Sequence, residues 1–250
     1  MDRRLPGGGG YAVGPLYDVK PSLVGVVDDY ITFASNYGDH VEYWHGVDVN
    51  LSARLPNGLV LRGGTSVGRT VQDNCEIVAV SPEIVSGVEV ASGTATVPRS
   101  SAQVTGTPYC HQAARVQPSV TALGSYTVPR IDVQTSLTFK STGGPSLSAN
   151  YVATNAVVAP ALGRALTGAA NTTVNLVEPN TMFGDRVNSV DLRVSKIVRV
   201  RGTRSALSLD VYNVFNRNPV QVYTTSFAAW LQPQRILQAR FIKLGMQVDF

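Results

Sequence analysis

The chain has two cysteines, and both lie in one long predicted loop. Cys75 and Cys110 lie about 35 residues apart in a stretch, between Thr70 and Gln117, that shows no strand pattern. Two thiols in one loop of an oxidising compartment should pair. Closing a loop of that size would stabilise the fold by a nominal ~3–4 kcal/mol through the unfolded state. The alternative is two unpaired thiols in a cytosolic protein.

Residue types that support catalysis or metal binding are sparse. The three histidines, His40, His45 and His111, include no two at the spacing of metal ligands. Ser66 lies between Gly64 and Gly68, but inside the segment Leu59–Thr70 that alternates like a strand, and not at the strand-to-helix turn of a nucleophile elbow. The glycine run at 7–10 has no strand before it and no helix pattern after it, which favours a loop over a phosphate-binding turn. We therefore expect no enzymatic activity, no cofactor and no metal.

Charged side chains recur at alternate positions of several segments, opposite apolar ones. Because side chains two apart on a strand share a face, these charges should line one side of a sheet. The residues are Asp48, Arg54, Arg62, Lys140, Asp191, Arg193 and Asp210. One interpretation is a functional polar wall that contacts another part of the protein and lines a substrate path. The other is ordinary cross-strand charge pairing on a solvated face.

The segments that carry these charges alternate with period 2 and predict three hairpins. The hairpins are Val41–Leu55 with Leu59–Thr70, Gln117–Val128 with Val133–Lys140, and Val187–Arg199 with Ser205–Phe215. A final strand is predicted for Ile236–Phe250, and the fourth strand could resume over Ser146–Thr154. The apolar stretch Val152–Ala170 is interrupted by polar residues and a proline, so we interpret it as a loop.

The connections between the predicted strands alternate in length. Turns near Pro56, Pro129 and Gly202 span a few residues, whereas the links at 71–116, 155–186 and 216–235 run to roughly 20–45 residues, which is unusual in a compact soluble domain. Outer-membrane barrels combine short periplasmic turns with long extracellular loops.

Composition agrees with a barrel. Charged residues are only 15% of the chain and mean hydropathy is +0.04, while no apolar run reaches the length of a membrane-spanning helix. The net charge of +4 is too small and too scattered to indicate nucleic acid as a partner.

The last residues of the chain form the most hydrophobic predicted strand. Apolar side chains at 242, 244, 246, 248 and 250 alternate with polar or small ones. A soluble domain rarely ends in this way, since chain ends are usually frayed and polar. The pattern looks like the C-terminal signal by which the barrel-assembly machinery recognises bacterial outer-membrane proteins, with Lys243, Gly245, Val248 and Phe250 as its residues.

Several motifs resemble one protein family. They are Gly14–Val19, Thr32–Gly38, Tyr151–Asn155, Ile236–Phe241 and, most specifically, Leu209–Asn216 with its Tyr-Asn-Val-Phe-Asn core. Together they resemble the end of a TonB-dependent outer-membrane receptor from the subfamily with an N-terminal carboxypeptidase-regulatory-like domain. The resemblance implies a barrel of about 22 strands filled by an N-terminal plug, energised through a periplasmic box that contacts TonB, and importing a scarce ligand.

We therefore predict an all-β fold: an antiparallel transmembrane β-barrel segment of about seven long strands, forming the open, closing end of a larger barrel. Residues 1–40 are expected to be a truncated extracellular loop, and the plug domain and signal peptide are expected to be absent. The long loops would be extracellular, and the short turns and C-terminus periplasmic.

The expected partners are outer-membrane lipid, the barrel-assembly machinery, and the plug and N-terminal barrel strands of the parent, with TonB reached only through that N-terminal part. Two alternatives remain open. One is a soluble or secreted β-sandwich that binds a ligand. The other is a small passive porin, if residues 11–34 supply an eighth strand.

Overall fold

The structure, a computed structural model, describes residues 2–24, 26, 31–81, 86–87, 105–106, 109–200 and 203–249. Seven long strands dominate it. They are β1 (Val41–Arg54), β2 (Val60–Asp73), β3 (Ser119–Val128), β4 (Val133–Thr142), β5 (Val187–Val200), β6 (Thr203–Tyr212) and β7 (Phe241–Asp249). The prediction of an all-β, antiparallel fold is confirmed.

The seven strands form one sheet in sequence order, each antiparallel to the next. Among the described residues β1 pairs only with β2 and β7 only with β6, so the sheet has two free edges. The short strand His111–Ala113 pairs with the end of β2, beyond the part of β2 that pairs with β3. The eighth strand that a small porin requires is not formed by 11–24, 26 or 31–34.

The three predicted hairpins are present, and local turn chemistry explains their tightness. Between β1 and β2, Gly58 adopts a positive φ of 86° and the Asn57 side chain accepts a hydrogen bond from the Leu59 amide at 3.2 Å. Between β3 and β4, Arg130 and Asp132 also have positive φ. The turns at 55–59 and 129–132 lie at one end of the sheet, and the long connections leave from the other end. The predicted turn near Gly202 lies outside the described residues.

Two strand predictions were wrong at their ends. The final strand begins at Phe241 rather than Ile236, because Pro233–Ile236 pairs instead with Val220–Tyr223. β4 does not resume over Ser146–Thr154, because Asn150–Thr154 forms a separate hairpin with Asn171–Asn175. A close approach of Gly144 to Gly184 separates that hairpin from β4, since a Cβ on Gly144 would overlap the Gly184 carbonyl.

The long connections contain regular structure that the sequence reading missed. Helix α1 spans Cys75–Val80 and α2 spans Asn155–Leu162, two-residue strands pair Ser86–Gly87 with Thr105–Gly106, and 3₁₀ turns lie at Pro6–Gly8, Pro21–Leu23, Ala34–Asn36 and Phe227–Ala229. The interpretation of 152–170 as a loop was therefore wrong. Asn155 organises this segment, accepting from the Leu166 amide at 2.8 Å, and Gly163 in a left-handed conformation ends α2.

The main cluster of buried apolar residues lies among these connections, while Val71 on β2 and Ile197 on β5 are buried within the sheet. The buried residues of the cluster are Ala149, Val177 and Trp230, with Leu5, Leu176, Met182, Phe227 and Leu231 packed against them. We call the N-terminal residues 2–24 together with the connections 143–186 and 213–240 the loop cap. Arg4 ties its first part down, donating to the Trp230 carbonyl at 3.1 Å and stacking on Phe227.

Candidate functional site

The sheet register places all seven predicted wall residues on one face. Residues that are direct partners across an antiparallel ladder point to the same side. One row of such partners runs across the whole sheet through Arg54, Val60, Ser125, Ser136, Arg193, Asp210 and Lys243. Asp48, Arg62, Lys140 and Asp191 lie on the same side in parallel rows. We call this side the polar face.

The structure brings only two of the seven wall residues into an ion pair. The Arg193 guanidinium donates from Nε and Nη2 to the two carboxylate oxygens of Asp210, with Nη2 3.0 Å from Oδ2. Asp191 instead accepts a hydrogen bond from the Asn213 amide at 2.8 Å. In the part of the chain described here, Arg54, Arg62 and Lys140 form no ion pair and are exposed, so they present positive charge in front of the sheet.

The opposite face is apolar and uncovered. One of its rows comprises Ala53, Leu61, Gly124, Leu137, Leu192, Val211 and Ile242, and another Tyr126, Thr135, Val194, Leu209 and Leu244. Leu244 is 79% exposed and Ile242 65%, whereas Asp210 and Ser195 on the polar face are only 4% and 7% exposed. This distribution is the reverse of that in a soluble sheet protein, where the apolar face is covered.

Lysine interrupts the apolar face at its short-turn end. Lys196 follows Val194 on β5 and donates from Nζ to the carbonyl of Ile131 in the β3–β4 turn. A long lysine side chain can place its aliphatic part along an apolar surface and its charge at the rim. Lys196 therefore lies at the edge of the apolar face, beside the turn between β3 and β4.

Residues of the predicted assembly signal occupy the free-edge strand β7. Lys243 and Gly245 lie on the polar face and Val248 on the apolar one. Gly245 lies close to Ser208, whose hydroxyl would contact an added Cβ at 2.8 Å. Phe250 lies outside the described residues, so the structure does not locate the terminal aromatic of the signal.

The predicted disulfide is present. Cys75 and Cys110 are bonded, with their Cα atoms 4.8 Å apart. The bond joins the start of α1 to the residue before the strand His111–Ala113. Asp73 completes the junction, accepting from the Cys75 amide at 2.9 Å and lying 2.9 Å from His111 Nδ1. The disulfide thus joins the start of the connection between β2 and β3 to the short strand near its end.

The Tyr-Asn-Val-Phe-Asn motif has a clear structural role at the end of β6. Asn213 is buried with φ 49°, and its side-chain amide donates to the carbonyls of Arg217 at 2.7 Å and Gln238 at 2.8 Å. Asn216 then accepts from the Arg240 amide at 2.9 Å. The two asparagines fasten the beginning of the last long connection to its end, immediately before β7.

Sequence reasoning missed Trp44, whose ring lies on the polar face over Gly46 and Gly68. These glycines are direct partners on β1 and β2, and a Cβ on either would overlap the indole. The indole borders a cavity of about 350 Å³ that Gln72 and Arg115 also line. The sequence feature that could have predicted this contact is the pair of glycines, Gly46 and Gly68, on the same strand face as Trp44.

Two tyrosines donate hydrogen bonds to the loop cap through neutral phenols, Tyr11 from within it and Tyr109 from the connection between β2 and β3. Burial raises the pKa of Tyr109 to about 12, with smaller contributions from Tyr11 and Glu178, and burial also raises the pKa of Tyr11. Both groups therefore stay protonated at physiological pH. Tyr11 donates to the Leu176 carbonyl at 2.6 Å, and Tyr109 donates to the Asn175 carbonyl at 3.5 Å.

The loop cap contains an ion pair that the sequence did not suggest. Arg164 donates to Asp18, although 146 positions separate them in the chain. No local pattern could have revealed this pair, because both residues lie in irregular segments.

Comparison with family models, curated proteins and solved structures found no match. Among the described residues no helix is long and apolar enough to cross a membrane, and no group of three or more His, Cys, Asp or Glu could hold a metal ion.

Proposed function

We propose that the seven-stranded sheet is part of the wall of an outer-membrane β-barrel, with its apolar face in lipid and its polar face toward a water-filled lumen. The observation that carries this proposal is the exposure of the two faces: Leu244 and Ile242 are largely uncovered, while Asp210 and Ser195 are buried. Hydrocarbon is the environment in which an uncovered apolar face is stable and paired charges point inward.

The dimensions and connectivity support the same proposal. A strand needs about 9–11 residues to cross a bilayer, and β7, the shortest of the seven, has 9. The antiparallel meander with short turns at one end and long connections at the other is the arrangement of outer-membrane barrels. Under this proposal the loop cap is extracellular and the turns at 55–59 and 129–132 are periplasmic.

We further propose that the parent barrel is a TonB-dependent receptor that imports a scarce ligand. The support is the Asn213 and Asn216 motif, together with three exposed basic side chains of the polar face, Arg54, Arg62 and Lys140, which could contact a plug. The free edges of β1 and β7 cannot lie in hydrocarbon without a large cost. The barrel therefore needs further strands, and the 250-residue chain expressed alone in a cell is expected to transport nothing and to aggregate. The experiments below therefore keep the isolated chain in detergent micelles.

The lipid-facing assignment is tested by spin labelling of neighbouring positions. Single cysteines replace Leu137 or Leu209 on the apolar face, and Thr138 or Ser208 on the polar face. Because the native cysteines are bonded, only the new thiol reacts. The chain is refolded in detergent micelles and probed with oxygen and with a water-soluble nickel chelate.

Labels at 137 and 209 should be more accessible to oxygen, and labels at 138 and 208 to the nickel chelate. Protection of 137 and 209 from both reagents would mean that protein covers this face, as in a β-sandwich, and would contradict the proposal.

For the receptor assignment, the reading frame upstream of residue 1 should encode a plug domain and a signal peptide. A complete, unrelated gene there would contradict it.

A further inference from the structure

The loop cap forms an apolar cavity of about 440 Å³ that is partly open to solvent. Three parts of the chain line it: the segment 13–18, helix α2, and the hairpin formed by Asn150–Thr154 and Asn171–Asn175. The lining is mainly aliphatic, with two aromatic rings from Tyr17 and Tyr151. A volume of this size falls within the range of about 300–1,000 Å³ that is typical of small-molecule sites.

One charged side chain lines this cavity, and it is incompletely satisfied. The Asp18 side chain is only 3% exposed. Its Oδ2 accepts from Arg164 and from the Thr167 amide at 3.0 Å. Its Oδ1 is buried and has no hydrogen-bond donor among the described residues. Buried carboxylate oxygens are normally hydrogen-bonded, so this atom is free to accept a donor from a molecule in the cavity.

The charges around Asp18 indicate whether a ligand that donates to Oδ1 should be charged or neutral. Arg164 is its counterion and is itself fixed, donating to the Val19 carbonyl at 3.0 Å and to the Thr167 hydroxyl at 2.5 Å. The pair is therefore electrically neutral, and the cavity lining contains no second carboxylate. A cationic ligand would lack a partner charge, whereas a neutral N–H or O–H group needs none.

We infer that this cavity binds a small, largely apolar molecule that donates one hydrogen bond from a neutral O–H or N–H group to Asp18 Oδ1. The apolar body would displace water from the aliphatic walls, and the single donor would fix its orientation. The ligand would contact both the N-terminal segment and α2, which the Arg164–Asp18 pair already joins. This inference concerns the loop cap alone and does not depend on where the sheet lies.

The experiment compares two probes of the same ring, one with a hydrogen-bond donor and one in which a methyl ether replaces it. 4-(Trifluoromethyl)phenol carries an O–H group, and 4-(trifluoromethyl)anisole replaces it with a methyl ether. Binding of each to the full chain is measured by ¹⁹F NMR titration in micelles. Ala161→Phe fills the cavity from α2. Val152→Phe is the control: it adds the same ring on the strand Asn150–Thr154, at a position that does not line the cavity. Asp18→Leu removes the acceptor.

The phenol should bind the unmodified chain and Val152→Phe at least about tenfold more tightly than the ether, the value of roughly one good hydrogen bond. Asp18→Leu should remove this preference while leaving weak binding of both probes. Ala161→Phe should abolish the binding that exceeds micelle partitioning. Equal affinity of phenol and ether for the unmodified chain, or unchanged binding in Ala161→Phe, would overturn the inference. Failure of the spin-label test would leave these results unaffected.

Discussion

Arg193 and Asp210 face each other directly across β5 and β6, and the guanidinium contacts both carboxylate oxygens. The Asp210 residue is buried, whereas the Arg193 side chain is half exposed. The buried carboxylate therefore holds the more exposed guanidinium in place on the polar face. It also favours this register of the two strands, since a shift of either strand by one residue would turn that strand's charged group to the apolar face and break the pair.

Removing the carboxylate of this pair should destabilise the sheet. Asp210→Ala leaves the Arg193 guanidinium without its bidentate acceptor, and we expect a loss of about 1–3 kcal/mol in the free energy of unfolding. Ser208→Ala, two residues away on the same face, should change it by less than about 0.5 kcal/mol. Urea unfolding in micelles, followed by tryptophan fluorescence, measures both. Equal stability of the two variants would show that the pair contributes nothing.

A positive charge on the apolar face should be far more costly than on the polar face. Leu137→Lys lies in the middle of its strand, where lipid would surround the ammonium group, and should lower stability by about 2–4 kcal/mol. Thr138→Lys, the adjacent residue on the polar face, should be nearly neutral. The difference between the two is measured by heat-modifiable gel mobility after refolding. If both lysines were tolerated equally, the apolar face would not be in a hydrocarbon environment.

The contact between Trp44 and Gly68 predicts a specific packing defect. In Gly68→Ala the new methyl group would overlap the indole and also lie 2.7 Å from the His45 carbonyl, so we expect a loss of roughly 1–3 kcal/mol and a changed Trp44 fluorescence. Gly124→Ala is the matched control, because the nearest atom to its methyl group would be a Leu61 methyl at 3.5 Å. An unchanged emission spectrum in Gly68→Ala would contradict the stacking.

The Cys75–Cys110 bond should act locally. Replacing both cysteines by serine removes a restraint worth a nominal ~3–4 kcal/mol. We expect faster hydrogen exchange in the strand His111–Ala113 and the end of β2, with no change in β4 and β5. A reducing agent should reproduce this pattern in the unmodified chain and have no effect on the double variant. Two freely alkylated thiols in unreduced, folded protein would contradict the bond.

The terminal aromatic should govern delivery to the outer membrane. In the full-length parent, Phe250→Asp should reduce the folded receptor at the cell surface, because the assembly machinery would lose an apolar contact at the end of β7. Most substitutions in the connection 71–116 should leave the surface level unchanged. Heat-modifiable mobility of surface-exposed protein is the measurement. Surface levels equal to those of the unmodified receptor would show that this strand is not an assembly signal.

Much of the sheet could be predicted because strand periodicity is a local property. In β5, each residue from Val190 to Arg199 alternates between faces, and this alternation needs no knowledge of the partner strand. The disulfide was predictable for a related reason, since two cysteines allow one intramolecular pairing. The pairing of Arg193 with Asp210 was not predictable, because a charge pattern gives the face of each residue and leaves open which residues stand opposite.

The sequence by itself determined seven strands, their two faces, and the alternation of short and long connections. Only the tertiary structure decided that β7 starts at Phe241, that 155–162 is helical, and that Asp18 meets Arg164. The physical reason is range. Alternation of side chains is fixed by backbone geometry over two residues. The conformation of an irregular connection is instead determined by hydrogen bonds and packing with distant segments. Asp18 and Arg164, for example, are 146 positions apart in the chain.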